Sequence, residues 1–406
     1  MSREASEKNA YPAEPVTEAG GTFAAGLVSV IIPVKGAAGY IARTVGDIVA
    51  QTYPDIELII AGPAEDDGTD TAVEEALKRI PSDRHLGAKY IGRTGEGVSA
   101  GRNAGIEAAR GKYLVFFDGD DRIDPRTVEY LVKTVQGVDL ASCGYDTYDG
   151  ADAEKIPGLE RSGDRALFVG SPAGEDRAAE RQGAEESVEP AEPVYETPET
   201  VSRVLSAGDY ACRLFFQANY QGYVWNKIFR ADIVHKYQIR FREDLYYNED
   251  RTFQIEYIIH AERARMAPAR YYHYLANTGS AMDLYEEQEL NMEGLPPSDD
   301  PLFERRVTEL DGFSHMLKAL KKHRRFSDAA YFCRQTFADK LFSYFFEILA
   351  DDPERADAFS RSRLRHFARR LPFLIRRPDD SESRYYYHLF VRYGFTGKAC
   401  EAEEAE

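Results

Sequence analysis

Cysteine is scarce in this 406-residue chain: the four (Cys143, Cys212, Cys333, Cys400) lie far apart with no C-x-x-C pair. That argues against a zinc ribbon or a disulfide framework and for reduced thiols in a cytosolic setting. Long apolar runs are also missing. None approaches about 18 residues, so no membrane-spanning helix is expected. Positive charge is in the minority, 51 Lys and Arg against 69 Asp and Glu. The resulting net charge of -18 offers no general footprint for nucleic acid. Met1 to Gly20 is polar with four glutamates, unlike a signal peptide. The expected setting is cytoplasmic. Hydrophobic content of 43% is enough for the core of one large or two ordinary domains.

Residues 1–26, rich in Ala, Glu, Gly and Pro, are expected to be disordered. From Val28 to Tyr145 strands and helices alternate. Val28–Val34, Ile56–Ala61 and Ala88–Ile91 read as strands, as does the run that ends at Asp118. Between them, Ile41, Val45, Ile48 and Val49 share a helix face, Thr71–Ile80 is a second helix, and a third begins near Val98. Val128, Leu131, Val132 and Val135 give a fourth. This repetition predicts an α/β fold with a doubly wound, mostly parallel sheet. Residues about 171–200 hold almost no large apolar side chains and read as a solvated insertion. Helical spacing returns at Phe303, Val307, Leu310 and Phe313, so 300–395 reads as an added helical region before an acidic tail, 396–406.

The most informative stretch is Tyr113-Leu-Val-Phe-Phe-Asp-Gly-Asp-Asp121, an apolar run ending in three carboxylates. Asp118 and Asp120 fall on one side at the carboxyl end of a strand, where open α/β sheets bind ligands. Two hard oxygen donors suit Mg²⁺ or Mn²⁺ bridging to substrate phosphates. The alternative is a polar turn into a helix capped by Asp124 and begun by Pro125.

Six segments in order extend the motif: Val28–Pro33, Gln51–Ile60, Gly97–Gly105, Gly111–Asp121, Trp225-Asn-Lys227 and Asn248-Glu-Asp250. Together they resemble the inverting family 2 glycosyltransferases with the Rossmann-like GT-A fold. The resemblance implies a GT-A domain over 27–280 that transfers a sugar from a nucleotide-diphosphate donor. It implies a metal held by Asp118 and Asp120, with Gly119 and Asp121 on the donor side, Gly119 allowing close approach of the donor and Asp121 able to support the pair. Asp250 would be the base that takes the acceptor hydroxyl's proton. Pro33, Lys35, Arg102 and Asn103 would line the donor side, Arg102 near exposed helix amides that favour a diphosphate. Glu249, Trp225 and Lys227 would lie on the acceptor side.

The match departs at Gly36, where the family normally has asparagine, and at Gly62 and Pro63, where paired aspartates usually close the second strand. A lengthened loop would bring Asp66 or Asp67 to read the nucleotide base instead. The basic, apolar-interleaved stretch 361–377 reads either as a surface for anionic lipid or as a helix on the acidic remainder. The expected partners are a nucleotide sugar and a saccharide or lipid-linked saccharide, as in cell-surface glycan synthesis at the inner face of a membrane. The alternative is a non-catalytic GT-A module that binds sugar nucleotide or glycan.

Overall fold

Apolar runs without alternation become strands buried on both faces. The structure is a computed structural model that describes residues 16–18, 21–63, 67–84, 86–92, 94–95, 97–149, 156, 202–216, 222–276, 301–350 and 366–367. Its strands are Val16–Glu18 (β1), Gly21–Pro33 (β2), Ile56–Ala61 (β3), Gly87–Ile91 (β4), Gly111–Phe116 (β5), Arg122–Ile123 (β6), Leu140–Asp149 (β7), Arg203–Ser206 (β8), Lys227–Arg230 (β9) and Arg263–Ala276 (β10). The helices are Ile41–Val49 (α1), Thr69–Lys78 (α2), Gly97–Ala108 (α3), Thr127–Thr134 (α4), Ala207–Phe216 (α5), Ala231–Lys236 (α6), Glu249–Ile258 (α7), Pro301–Lys321 (α8) and Ser327–Ala350 (α9).

The strands join in the order β4-β3-β2-β5-β9-β7-β10-β6, with β1 on β2 and β8 on β10. Strands β2 to β5 are mutually parallel, and β9 runs antiparallel between β5 and β7. The chain leaves β2 through α1 toward β3 on one side, then returns from β4 through α3 to β5 on the other. The carboxyl ends of β2 and β5 therefore lie together at a switch point, which is where such sheets leave a crevice. The Phe117 amide, donating to the Ile31 carbonyl at 3.0 Å, carries this pairing up to Asp118.

Alternating residues of β2 feed two layers. Val28, Val30 and Ile32 pack with Ile41, Val45 and Ile48 of α1, whereas Ile31 joins Phe116, Phe229 and Phe253 on the opposite face. That second cluster also contains Leu310, Phe313, Phe326 and Phe337. Periodicity separates a 300–395 helical region from the 27–280 domain, but α8 and α9, the helices described within it, share one core cluster with α7. Helices α8 and α9 complete the core that α7 begins, because the apolar face of α7 needs a cover. The disorder expected over 1–26 is corrected for residues 16–18 and 21–26, the others lying outside the described residues. Val16 pairs with Phe23 and Glu18 with Gly21 in an antiparallel ladder. Backbone hydrogen bonds need no apolar side chains, so composition does not register them. Helix α4 begins at Thr127, two residues beyond Pro125, while the Asp124 carboxylate accepts the Arg126 amide at 2.9 Å.

Two further features set the crevice. The Arg122 Nε donates to Asp47 Oδ2 at 2.8 Å, both side chains being fully buried, which ties α1 to the segment just after the acidic turn. Helix α3 lies unusually close to the sheet. A Cβ on Gly105 would sit 2.3 Å from Ile31 Cγ2, and one on Gly101 would sit 2.9 Å from the Ala61 carbonyl oxygen. Gly105→Ala should therefore destabilise the fold by about 1–3 kcal/mol, the usual range for overpacking, as read by chemical denaturation. No loss of stability would mean that α3 can move away from β2 freely.

Candidate active site

The turn after β5 and the first turn of α7 meet on one guanidinium. Arg102, on α3 and 3% exposed, donates from Nη2 to Asp118 Oδ1 at 2.9 Å. Its Nη1 donates to Asp250 Oδ1 at 2.5 Å and to Glu249 Oε1 at 3.3 Å. The Phe241 ring lies 5.2 Å from its Cζ, and its buried Nε has no acceptor among the described residues. The other Asp250 oxygen, Oδ2, accepts the Val224 amide at 3.1 Å. A buried cation is stable only when paired, and three carboxylates from distant segments supply the pairing.

These groups open on a cavity of about 740 Å³ at the switch point. It is bounded by Pro33 at the end of β2 and Lys35 beyond it, by Asp118, Gly119 and Asp120, and by Trp225, Glu249 and Asp250. Sequence reading missed Tyr40, Tyr223 and Tyr274, which also line it. Tyr223 stacks on Trp225 at 4.9 Å and Trp225 on Tyr272 at 4.3 Å, with interplanar angles of 16° and 14°. For Tyr223 and Tyr274 the early signal is the density of tyrosine around Trp225 and in β10; Tyr40, just before α1, has none.

Four expected site residues lie elsewhere. Asn103 clamps α3 to the segment before α7, donating to and accepting from the Phe241 backbone at 2.8 Å, and does not face the cavity. Asp121 is buried behind the turn, where Tyr272 Oη donates to it at 2.5 Å and the Leu275 amide at 2.8 Å. It supports the turn because Tyr272 Oη also accepts the Asp118 amide at 3.3 Å. Lys227 is fully buried beneath the cavity wall, so it is not an acceptor contact. Asp67 accepts the Thr69 amide at 2.8 Å at the start of α2 and is not among the lining residues. Asp66 lies outside the described residues, as do residues 171–200 and, except for His366 and Phe367, the stretch 361–377. At Gly62 a Cβ would meet the Val34 carbonyl oxygen at 2.2 Å, so no aspartate fits there.

Charge in the cleft is strongly shifted. Burial raises Asp250 above the ordinary carboxylate range, and Arg102 is the largest opposing influence. Burial and the Asp250 charge push Glu249 up to about 8. Glu249 and Asp250 are neighbours in one buried turn, and burial favours the protonated form of both. Burial, reinforced by Asp120 and Asp118, drives Asp121 well above its usual value. Tyr40 rises to about 12 through burial and the same two carboxylates and stays protonated.

The raised carboxyl of Glu249 makes stability depend on pH. The folded state holds the proton more tightly than the unfolded chain, so its contribution is full below the unfolded value and is lost as pH rises through about 8. Glu249→Gln should flatten the fall in melting temperature between about pH 5 and 9, an effect on the order of a few kcal/mol. An unchanged pH profile in this variant would mean that Glu249 is ionised throughout.

Residues 29–179 match the sequence model described as Glycosyl transferase family 2. The Bacillus subtilis protein described as the uncharacterized glycosyltransferase EpsJ is 25% identical over 260 residues, 64% of this chain and 63% of its own length. The Escherichia coli protein described as the uncharacterized glycosyltransferase YibD is 25% identical over 270 residues, 65% of this chain and 66% of its own. The chain thus spans just under two thirds of the curated relatives it matches. In three dimensions it is similar to S. aureus TarS, solved with UDP, at a TM-score of 0.55 and 15% identity, over 91% of this chain and 88% of that one. That likeness concerns the fold. A crevice at the switch point of the sheet and a pattern that runs from β2 through the acidic turn point the same way: residues 29–179 are similar to the glycosyl transferase family 2 model, on a fold of the GT-A kind.

Proposed function

We propose that the chain is a metal-dependent inverting glycosyltransferase. It would move a sugar from a nucleotide-diphosphate donor to a saccharide or lipid-linked saccharide, in cell-surface glycan synthesis. The observation that carries this reading is that Asp118, Asp120 and Asp250 share one cavity at the switch point, with Arg102 between two of them. A lipid-linked acceptor at the inner face of a membrane would suit the basic stretch 361–377. No helix among the described residues is long and apolar enough to cross a membrane.

The metal is tested by its donor set. Asp118 is 29% exposed and borders the cavity with Asp120, so two hard oxygen donors are available. Among the described residues there is no group of three or more His, Cys, Asp or Glu placed to hold an ion. The pair suits Mg²⁺ or Mn²⁺, which keep waters and share phosphate oxygens with a substrate. Bound there, the ion would neutralise charge developing on the departing diphosphate.

In the reaction the acceptor oxygen bonds to the anomeric carbon from the face opposite the diphosphate. The anomeric C–O bond breaks and its electron pair leaves with the diphosphate. Asp250 takes the acceptor proton, and Arg102 and the Val224 amide hold its two oxygens in place. Burial and the Asp250 charge favour the neutral form of Glu249, so the pair need not carry two negative charges. Tyr223 offers an aromatic face beside the base, braced from behind by Trp225, on which an acceptor ring would stack.

A second reading, a binding module without chemistry, draws on Gly62. The strand end has no room for the acid that would read a nucleotide base there. Turnover separates the two. Purified protein should hydrolyse or transfer from some nucleotide sugar only with Mn²⁺ or Mg²⁺. Asp120→Asn should abolish that activity. Asp250→Asn should lower it by about 10²–10⁴-fold, the range for a lost general base, while nucleotide diphosphate with Mn²⁺ still raises the melting temperature. Metal-independent turnover, or a fully active Asp250→Asn, would sink the proposal. Nucleotide binding with no turnover across a panel of sugars and acceptors would favour the module.

A further inference from the structure

Lys227 is a fully buried lysine that the proposed chemistry does not use. It opens β9, and its side chain turns back under the segment that precedes it. The Nζ donates to the Tyr223 carbonyl and, at 2.7 Å, to Asn226 Oδ1. Asn226 is itself locked to β7, its Nδ2 donating to the Cys143 carbonyl at 2.7 Å and its carbonyl accepting the Cys143 amide at 3.0 Å. The ammonium is thus anchored to the sheet. The carbonyl it holds belongs to the same peptide unit whose amide, Val224 N–H, donates to Asp250 Oδ2. Gln254 Nε2 is a neutral second donor to that carbonyl at 3.2 Å.

We propose that Lys227 is a positioning residue for Asp250: its ammonium orients and polarises the Tyr223–Val224 peptide, whose amide holds the carboxylate. A cation on the carbonyl end strengthens the donor at the amide end, because hydrogen bonds in a chain polarise one another. The cost of burying an ammonium is then offset by a carboxylate kept ionised inside the protein. Burial pushes Lys227 down to about 7, and the Asp250 charge opposes the drop. The groups facing Asp250 are Arg102 from α3, Asp118 after β5, Glu249 and Arg251 from α7, and Lys227 from β9. Lys227 lowers Asp250, so its loss moves the carboxyl further up. The proposal rests on Asp250 being the base, but the coupling between the two residues can be read without any activity.

The test uses the full chain labelled with ¹³C at aspartate carboxyls, with the Asp250 resonance assigned by its loss in Asp250→Asn. In the wild type this resonance should show a second inflection near pH 7 as Lys227 loses its proton. In Lys227→Met the Asp250 midpoint should rise by about one unit, equivalent to about tenfold in the ionised fraction on the acidic side. Gln254→Met, which removes only the neutral donor, should shift it much less. Turnover of a nucleotide sugar by Lys227→Met should fall most, up to about tenfold, on the acidic side of the profile and converge on the wild type as pH rises. Equal shifts in the two variants, or no step near pH 7 in the wild type, would overturn the proposal. The wild-type titration decides the matter if Lys227→Met does not fold. A fully active Asp250→Asn would instead remove the base assignment, while the titrations still report whether the residues are coupled.

Discussion

The cleft is organised around the burial of a single positive charge. Arg102 has lost nearly all contact with water, and a guanidinium in that position is tolerable only if carboxylates come to it. They come from the end of β5 and from the start of α7, well over a hundred residues apart in sequence. The requirement therefore fixes the separation of the two walls. It also explains the crowding of acid, since Asp250 and Asp118 would repel one another without a cation between them. The depth of the guanidinium is set in turn by Gly101 and Gly105, which let α3 rest directly on β2 and β3.

The rest of the sheet holds this arrangement still. Parallel strands β2 and β5 end side by side, so the loops after them, Pro33 to Lys35 and Asp118 to Asp120, face a common hollow. Below the acidic turn, Asp121 and Tyr272 form a buried support and the Arg122–Asp47 pair fastens it to α1. On the far wall β9 is inserted antiparallel between β5 and β7, which delivers Trp225, Asn226 and Lys227 beside α7. Helices α8 and α9 close the opposite face of the same core. Side chains on such a frame are held by packing against the sheet and α7, which favours a fixed geometry in the cleft.

Much of this was legible in one dimension, for a definite reason. Strands β3 and β5 and the Val28–Pro33 end of β2 are almost wholly buried and so appear as largely apolar runs, and Ile56–Ala61 is found with the boundaries its composition suggests. The start of α9 at Ser327 follows from a local helix-start residue. Where the outcome depends on distant partners the reading failed. Asn103 and Asp121 have the right chemistry for a ligand site but are consumed by contacts with Phe241 and with Tyr272. The strand β1 is made by backbone pairing that side-chain composition does not record.

What sequence alone determined, then, is the class of fold and the identity of the acids at its cleft, because periodicity and short motifs are local properties of the chain. Tertiary structure decided which of those residues face the cavity and what charge each carries. Arg102 became the centre of the site, and Lys227 moved from the cavity surface to the interior behind it. Burial and the proximity of other charges set ionisation, and neither exists until segments remote in sequence have packed together.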